Sequence, residues 1–208
     1  LLFVPDSHSR PQSSIPWGQA MKVLVTNKLM WRLLAADLAS GFGTAVSGAL
    51  YIFVASAYFK LPEHASLALL FYFLTGFFAM PLWLKLAYKA GKDTALKIAL
   101  LYAVVINLGL IPIAQEGSVV ILWGFTIAFG VAFGAAPALL RSMMADLTDE
   151  DELHSGQKRS GLFFAMLTTT NKLGAALAVG VSFAILELAF AFIPGATNTQ
   201  SSLDGLLI

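Results

Sequence analysis

The stretch Ala145-Asp146-Leu147-Thr148-Asp149-Glu150-Asp151-Glu152 closes one strongly apolar segment of the chain, and the next apolar segment, beginning at Gly161, carries Lys172 in its interior. On a soluble domain such a lysine needs no explanation, whereas in a lipid-spanning helix it must face a polar cavity or a partner. Composition selects the second setting: 58% of the 208 residues are hydrophobic, 12% are charged, and mean hydropathy is +0.77. These values describe an integral membrane protein with the lipid bilayer as its main partner, and no nucleic-acid partner is expected. Cysteine is absent, which excludes a disulfide framework or a thiolate metal site. The chain starts at Leu1, and its first ten residues lack a signal-peptide pattern, so it reads as part of a longer polypeptide.

A helix needs about 20 apolar residues to cross the hydrocarbon core. Five segments are long enough: Leu33 to Tyr58, Leu67 to Leu86, Ala95 to Ala114, Ser118 to Met144, and Gly161 to Ile193. The expectation is an all-α membrane protein, with a five-helix half-bundle over residues 33–193 between a leading segment, 1–32, and a trailing one, 194–208. Basic residues concentrate in three of the interruptions: Arg10, Lys22, Lys28 and Arg32; Lys85, Lys89, Lys92 and Lys97; and Arg141, Lys158 and Arg159. By the positive-inside rule, the leading segment, the Lys89 turn and an acidic loop at about 145–160 face the cytoplasm. Pro16 to Lys28 suits either an interfacial helix or a linker. Pro194 to Gln200 is turn-rich, and Leu203 to Ile208 reads as the start of a sixth helix.

Small residues mark close helix contacts in lipid: Gly130 and Gly134 in the fourth span, Ser40, Gly43 and Gly48 in the first, and Gly174, Ala178 and Gly180 in the last. Pro112 and Pro137 remove helical hydrogen bonds and are expected to bend their spans. Lys172 lies 11 residues past Gly161, about 16 Å along the helix, too deep to reach either interface. Thr168 and Thr169 precede it by one turn on the same face, and Asn171 stands beside it. These four are the candidate substrate-binding residues; the structural alternative is a lysine neutralised by a carboxylate of another helix. Asp37 is expected to pair with Arg32 or Arg141, while Tyr51, Tyr58 and Asn107 are weaker cavity-lining candidates. His8, His64 and His154 fall in expected loops.

The acidic run lacks the glycine and the later glutamate of an EF-hand, so no metal site is assigned to it. It suits a gate better: Asp146, Asp149 and Glu152, bordered by Arg141, can pair with Lys158 and Arg159 when one side is closed and separate when it opens. Exposed pairs worth about 0 to 1 kcal/mol each do not lock one state. No nucleophile with a nearby base lies within the spans, which argues against an enzyme.

Three blocks together carry a family resemblance: Ala145 to Glu152; Gly156-Gln157-Lys158-Arg159-Ser160-Gly161-Leu162-Phe163-Phe164; and Asn171-Lys172-Leu173-Gly174-Ala175-Ala176-Leu177. They resemble the glycoside-pentoside-hexuronide cation symporters, the melibiose-permease-like branch of the major facilitator superfamily. The resemblance implies that the chain supplies helices seven to eleven of a twelve-helix transporter, with the N-terminal half of the same polypeptide as partner. It further implies sugar symport with Na⁺ or H⁺ across a bacterial cytoplasmic membrane, without a cofactor and with the coupling-cation site in the N-terminal half. Lys172 would stand at the central cavity, and Asp146, Asp149, Glu152, Lys158 and Arg159 at the cytoplasmic gate. Lys158 stands where the family usually has arginine, which removes a bidentate fork, and Ser160 replaces a usual glutamate. Lysolipid carriers and non-transporting sensors built on the same scaffold are the alternative readings.

Overall fold

The computed structural model describes residues 27–192, 198, 199, 202, 203 and 205–207. The expected interfacial helix from Pro16 lies almost wholly outside the described residues, as does most of the turn after Pro194. The fold is all-α: α1 (Lys28–Phe53), a π-helical turn (Val54–Tyr58), α2 (Pro62–Ala90), α3 (Lys92–Ile113), α4 (Val119–Phe133), α5 (Ala135–Ser155) and α6 (Ser160–Phe190). Taken with the π turn joined to α1, and α4 joined to α5, these make five helices long and apolar enough to cross a membrane. Lipid offers backbone groups no hydrogen-bond partner, so long apolar segments satisfy their own amides as helices.

The ends of the helices follow local chemistry. Asn27 caps α1, its side chain accepting from the amides of Leu29 and Met30 at 2.9 and 3.1 Å. Pro62 opens α2 at a position that has no use for an N–H. Gly91, at φ +90°, makes the tight turn between α2 and α3, and Gly156, at φ +67°, closes α5 in the left-handed conformation.

The fourth span, which Pro137 was expected to bend, is divided into α4 and α5. It breaks at Gly134, because Pro137 has no N–H for the Phe133 carbonyl one turn earlier. The acidic run is also not a loop: α5 continues through it to Ser155 and leaves only residues 156–159 as the connection. Hydropathy marks where lipid ends, not where the helix ends. Met144 and Leu147 keep one face of this stretch buried, and nothing before Gly156 interrupts it.

The most extensive helix contact joins α1 to α6, and the next joins α2 to α4. Apolar packing forms two clusters. One surrounds Leu33, Trp83, Leu139, Met144 and Phe163 at the end bearing the acidic run. The other surrounds Phe59, Leu61, Leu122, Leu186 and Phe192 at the opposite end, where Lys60 pairs with Glu116. Glycines bring the helices to backbone contact. A Cβ on Gly41 would collide with the Asn171 carbonyl oxygen, one on Gly174 with that of Leu38, and one on Gly130 would sit 2.7 Å from the Tyr72 carbonyl oxygen.

Gly174→Val should therefore force α1 from α6 and cost about 3 kcal/mol, the upper end for overpacking, since the obstacle is backbone. Gly180→Val on the same helix meets open space and should be near neutral. Thermal unfolding of the complete protein in detergent compares the two.

Candidate functional site

Helix α6 presents two chemically different faces around its midpoint. Lys172 lies 12 residues after Ser160 and 18 before Phe190, about 18 and 27 Å from the two helix ends. Its side chain is exposed on the surface of this chain, as are Thr168 and Thr169 one turn earlier. The two threonine hydroxyls donate to the carbonyls of Phe164 and Ala165 at 2.9 and 2.8 Å, which leaves their oxygen lone pairs as acceptors beside the ammonium. Asn171 does not share this face. It turns toward α1, where its amide donates to the Asp37 carbonyl oxygen and to Asp37 Oδ1, both at 3.4 Å.

Asp37 was not among the expected binding residues and was expected to pair with arginine. It is instead buried, 5% exposed, between α1 and α6. Thr170 and Asn171 are its hydrogen-bond partners. Arg141 on α5 does not come within ion-pair distance of it and instead donates to the Pro137 carbonyl at 3.3 Å. The signal that pointed here was rotational: Asp37, Gly41, Asn171 and Gly174 fall on one contact face.

The acidic run meets its cations in a pattern different from the expected one. Asp146 pairs not with Lys158 or Arg159 but with Lys92 on α3, whose ammonium reaches both carboxylate oxygens at 2.6 and 2.7 Å and the Ser142 carbonyl at 3.2 Å. The expected pairing followed chain neighbours, whereas the α2–α3 turn brings Lys92 against α5. Glu152 pairs with Lys158 at 3.7 Å in an exposed contact. Arg159 pairs with Asp151, its Nε 3.0 Å from Oδ2, and the two side chains are only 5% and 11% exposed. That contact lies off the N–H axis, so Nε has ion-pair proximity without an aligned hydrogen bond. Asp149 is exposed. Among the described residues, no three His, Cys, Asp or Glu side chains gather as a metal-ligand set.

A separate cavity of about 130 Å³ lies between α1, α3 and α4, bordered by Ser47, Tyr51, Asn107 and Phe129 and by Leu206 of the trailing segment. Tyr51 and Asn107 thus border a cavity as their polarity suggested. Each is already bonded within the protein, Tyr51 to the Thr126 hydroxyl at 2.8 Å and Asn107 to the Ala103 carbonyl at 2.8 Å. Tyr58 packs edge-on against Phe59.

The profile of the family described as MFS/sugar transport protein matches residues 5–208. The chain belongs to this family. An uncharacterized symporter of Synechocystis sp. is 35% identical over 85 residues, covering 40% of this chain and 16% of the relative. The sodium-dependent lysophosphatidylcholine symporter 1-A of Danio rerio is 29% identical over 115 residues, 54% of this chain and 21% of the relative. The matched parts thus span about a fifth or less of either relative. Membership places the chain in the major facilitator superfamily, whose members are transporters, and both relatives are named as symporters.

In this MFS chain the buried and exposed ion pairs should respond differently to truncation. Arg159→Ala leaves Asp151 buried without its cation and should destabilise the protein by about 3 kcal/mol. Lys158→Ala, at an exposed pair, should cost about 1 kcal/mol or less. Denaturation midpoints of the two variants measure the contrast.

Proposed function

We propose that the chain forms helices seven to eleven of a twelve-helix, melibiose-permease-like symporter that moves a sugar or glycoside across the bacterial cytoplasmic membrane with Na⁺ or H⁺. The observation that carries this reading is the exposed Lys172 at the middle of a 31-residue apolar helix, with Thr168 and Thr169 on the same face. Facing lipid, an ammonium at that depth is costly. Facing a water-filled cavity shared with the N-terminal half, it becomes a donor for sugar hydroxyls and the threonine oxygens become acceptors. Asn171 contributes from behind by holding the α6 backbone against α1. Neither a cofactor nor covalent chemistry enters the cycle.

The charged end then serves as the cytoplasmic gate. Lys92–Asp146 and Lys158–Glu152 are exposed pairs that open at little cost, while the buried Arg159–Asp151 pair keeps the α5–α6 connection intact. Asp149 and Arg141 stand on the same helix and are free to meet charges of the other half. A second reading, an amphiphile such as a lysolipid as cargo, is favoured by the named substrate of the Danio rerio relative. An ammonium suits a phosphate headgroup as well as it suits a hydroxyl.

The test is uptake of a labelled glycoside panel into vesicles holding the complete protein, with and without an inward Na⁺ or H⁺ gradient. Gradient-driven accumulation is the expected result, abolished by Lys172→Ala with insertion intact; uptake undiminished in that variant would remove the central claim. If no sugar accumulates but a lysolipid does, the second reading stands. Asp146→Lys should impair uptake, and Lys92→Asp should partly restore it, as measured by initial rates of the single and double variants.

A further inference from the structure

Helix α2 buries one narrow stripe, Ala65, Ala68, Tyr72, Gly76 and Trp83. At about 100° per residue, Leu67, Phe71, Phe78, Leu82, Lys85 and Lys89 fall within about 60° of one another on the opposite side. All six are exposed, Phe78 at 73%. The residues themselves decide what covers this side. Where helices of this chain meet backbone to backbone they do so at glycine: Gly76 with Gly130 and Gly134, Gly41 with Asn171, Gly174 with Leu38. Small residues are what helix contacts in a membrane select. The outer stripe of α2 holds none, and it has no polar group before Lys85. It therefore suits lipid chains, whereas the exposed middle of α6, with Thr168, Thr169 and Lys172, does not. From Phe71 to Leu82 the stripe covers about 16 Å, close to the roughly 15 Å of hydrocarbon in one leaflet. The two lysines begin where that depth ends.

We propose that Lys85, Tyr88 and Lys89 form a binding site for the headgroup of an anionic phospholipid, in the leaflet at the end bearing the acidic run, with the lipid's acyl chains lying along Phe78 and Leu82. Among the described residues, neither lysine has a carboxylate within 4.0 Å, whereas Lys60, Lys92, Lys97 and Lys158 each do. The charge of this pair is thus left for a group outside the chain. Lys85 and Lys89 stand one turn apart, with about 6 Å between their Cβ atoms, so both ammonium groups can reach one phosphate and donate to its oxygens. Their aliphatic stems extend the apolar stripe to the headgroup level. Tyr88 lies on the flank between them, 89% exposed and with no hydrogen-bond partner among the described residues. An aromatic ring with a polar tip belongs at that depth, and its hydroxyl supplies one more donor.

The site depends on the chain lying in a membrane and not on what it carries, so its test is independent of any cargo. The complete protein in detergent is offered equal amounts of phosphatidylglycerol and phosphatidylcholine, and the lipids it retains are counted by native mass spectrometry. The wild type should retain phosphatidylglycerol in preference. Lys85→Gln should lower that preference about fivefold, the worth of one lysine near a charged lipid surface, and Lys85→Gln with Lys89→Gln should abolish it. Lys97→Gln removes the same charge from a lysine already paired with Asp93 and should leave the preference unchanged. A wild type without preference, or a loss as large in Lys97→Gln as in Lys85→Gln, overturns the proposal. The orientation of the stripe is read separately, from a fluorophore attached to Phe78→Cys as the one labelled cysteine of the complete protein in vesicles. Brominated phosphatidylglycerol should quench it. A fluorophore that stays bright lies against protein, which puts another part of the polypeptide on the stripe and overturns the lipid site.

Discussion

The backbone contact between α1 and α6 is the constraint on which the other polar placements depend. Lipid gives no hydrophobic drive for two apolar helices to associate, so contact area and hydrogen bonds must do it. Gly41 against the Asn171 carbonyl and Gly174 against that of Leu38 bring the axes together until no side chain fits between them. Within that seam Asp37, Thr170 and Asn171 reach one another. Leu167, Thr170, Gly174 and Ala178 follow the seam at spacings of three and four. Each residue advances about 100° around a helix. Fixing this face inward therefore turns Thr168, Thr169 and Lys172 outward. The same contact that hides the carboxyl exposes the ammonium.

The charges at the end of the bundle divide by burial, and burial decides what each can do. Lys92–Asp146 and Lys158–Glu152 sit in water, where attraction, side-chain entropy and salt screening nearly cancel. Arg159–Asp151 is enclosed, and separating it would leave a bare charge in a poorly solvated place. The first two suit reversible contacts. The third suits a joint, and it lies where α5 hands over to α6.

Much of this was legible in the sequence. The five spans and the close contacts at Gly130, Gly134 and Gly174 follow from hydropathy and spacing alone, and Pro137 marked the fourth span for a bend; on α1, however, the contact glycine is Gly41, while the expected Gly43, Gly48 and, on α6, Gly180 meet open space. The helical state of Ala145 to Glu152 was not legible, because leaving lipid changes polarity without breaking a helix, and the buried Met144 and Leu147 are visible only once α5 has neighbours. The partner of Asp146 was misassigned for a related reason: Lys92 is 54 residues away in the chain and arrives through the α2–α3 turn. Asp37 was judged by its distance along α1 from the nearest arginines. Its environment is set by the direction in which it points, a matter of which helix packs on which face.

These contacts also constrain how the bundle can move. Rotating α6 against α1 would drive Gly174 and Gly41 out of register and replace backbone contact with collision, so the pair is bound to move together. The buried Arg159–Asp151 pair carries the end of α5 with it. Helix α4, by contrast, packs chiefly on α2, with Gly130 against Tyr72. The two groups meet at the break at Gly134, where Pro137 has already removed one helical hydrogen bond, and at the Lys92–Asp146 pair, but they are also joined by the apolar cluster around Leu33, Trp83, Leu139 and Phe163 and by the buried Tyr51–Thr126 hydrogen bond, so they part only at the cost of buried contacts.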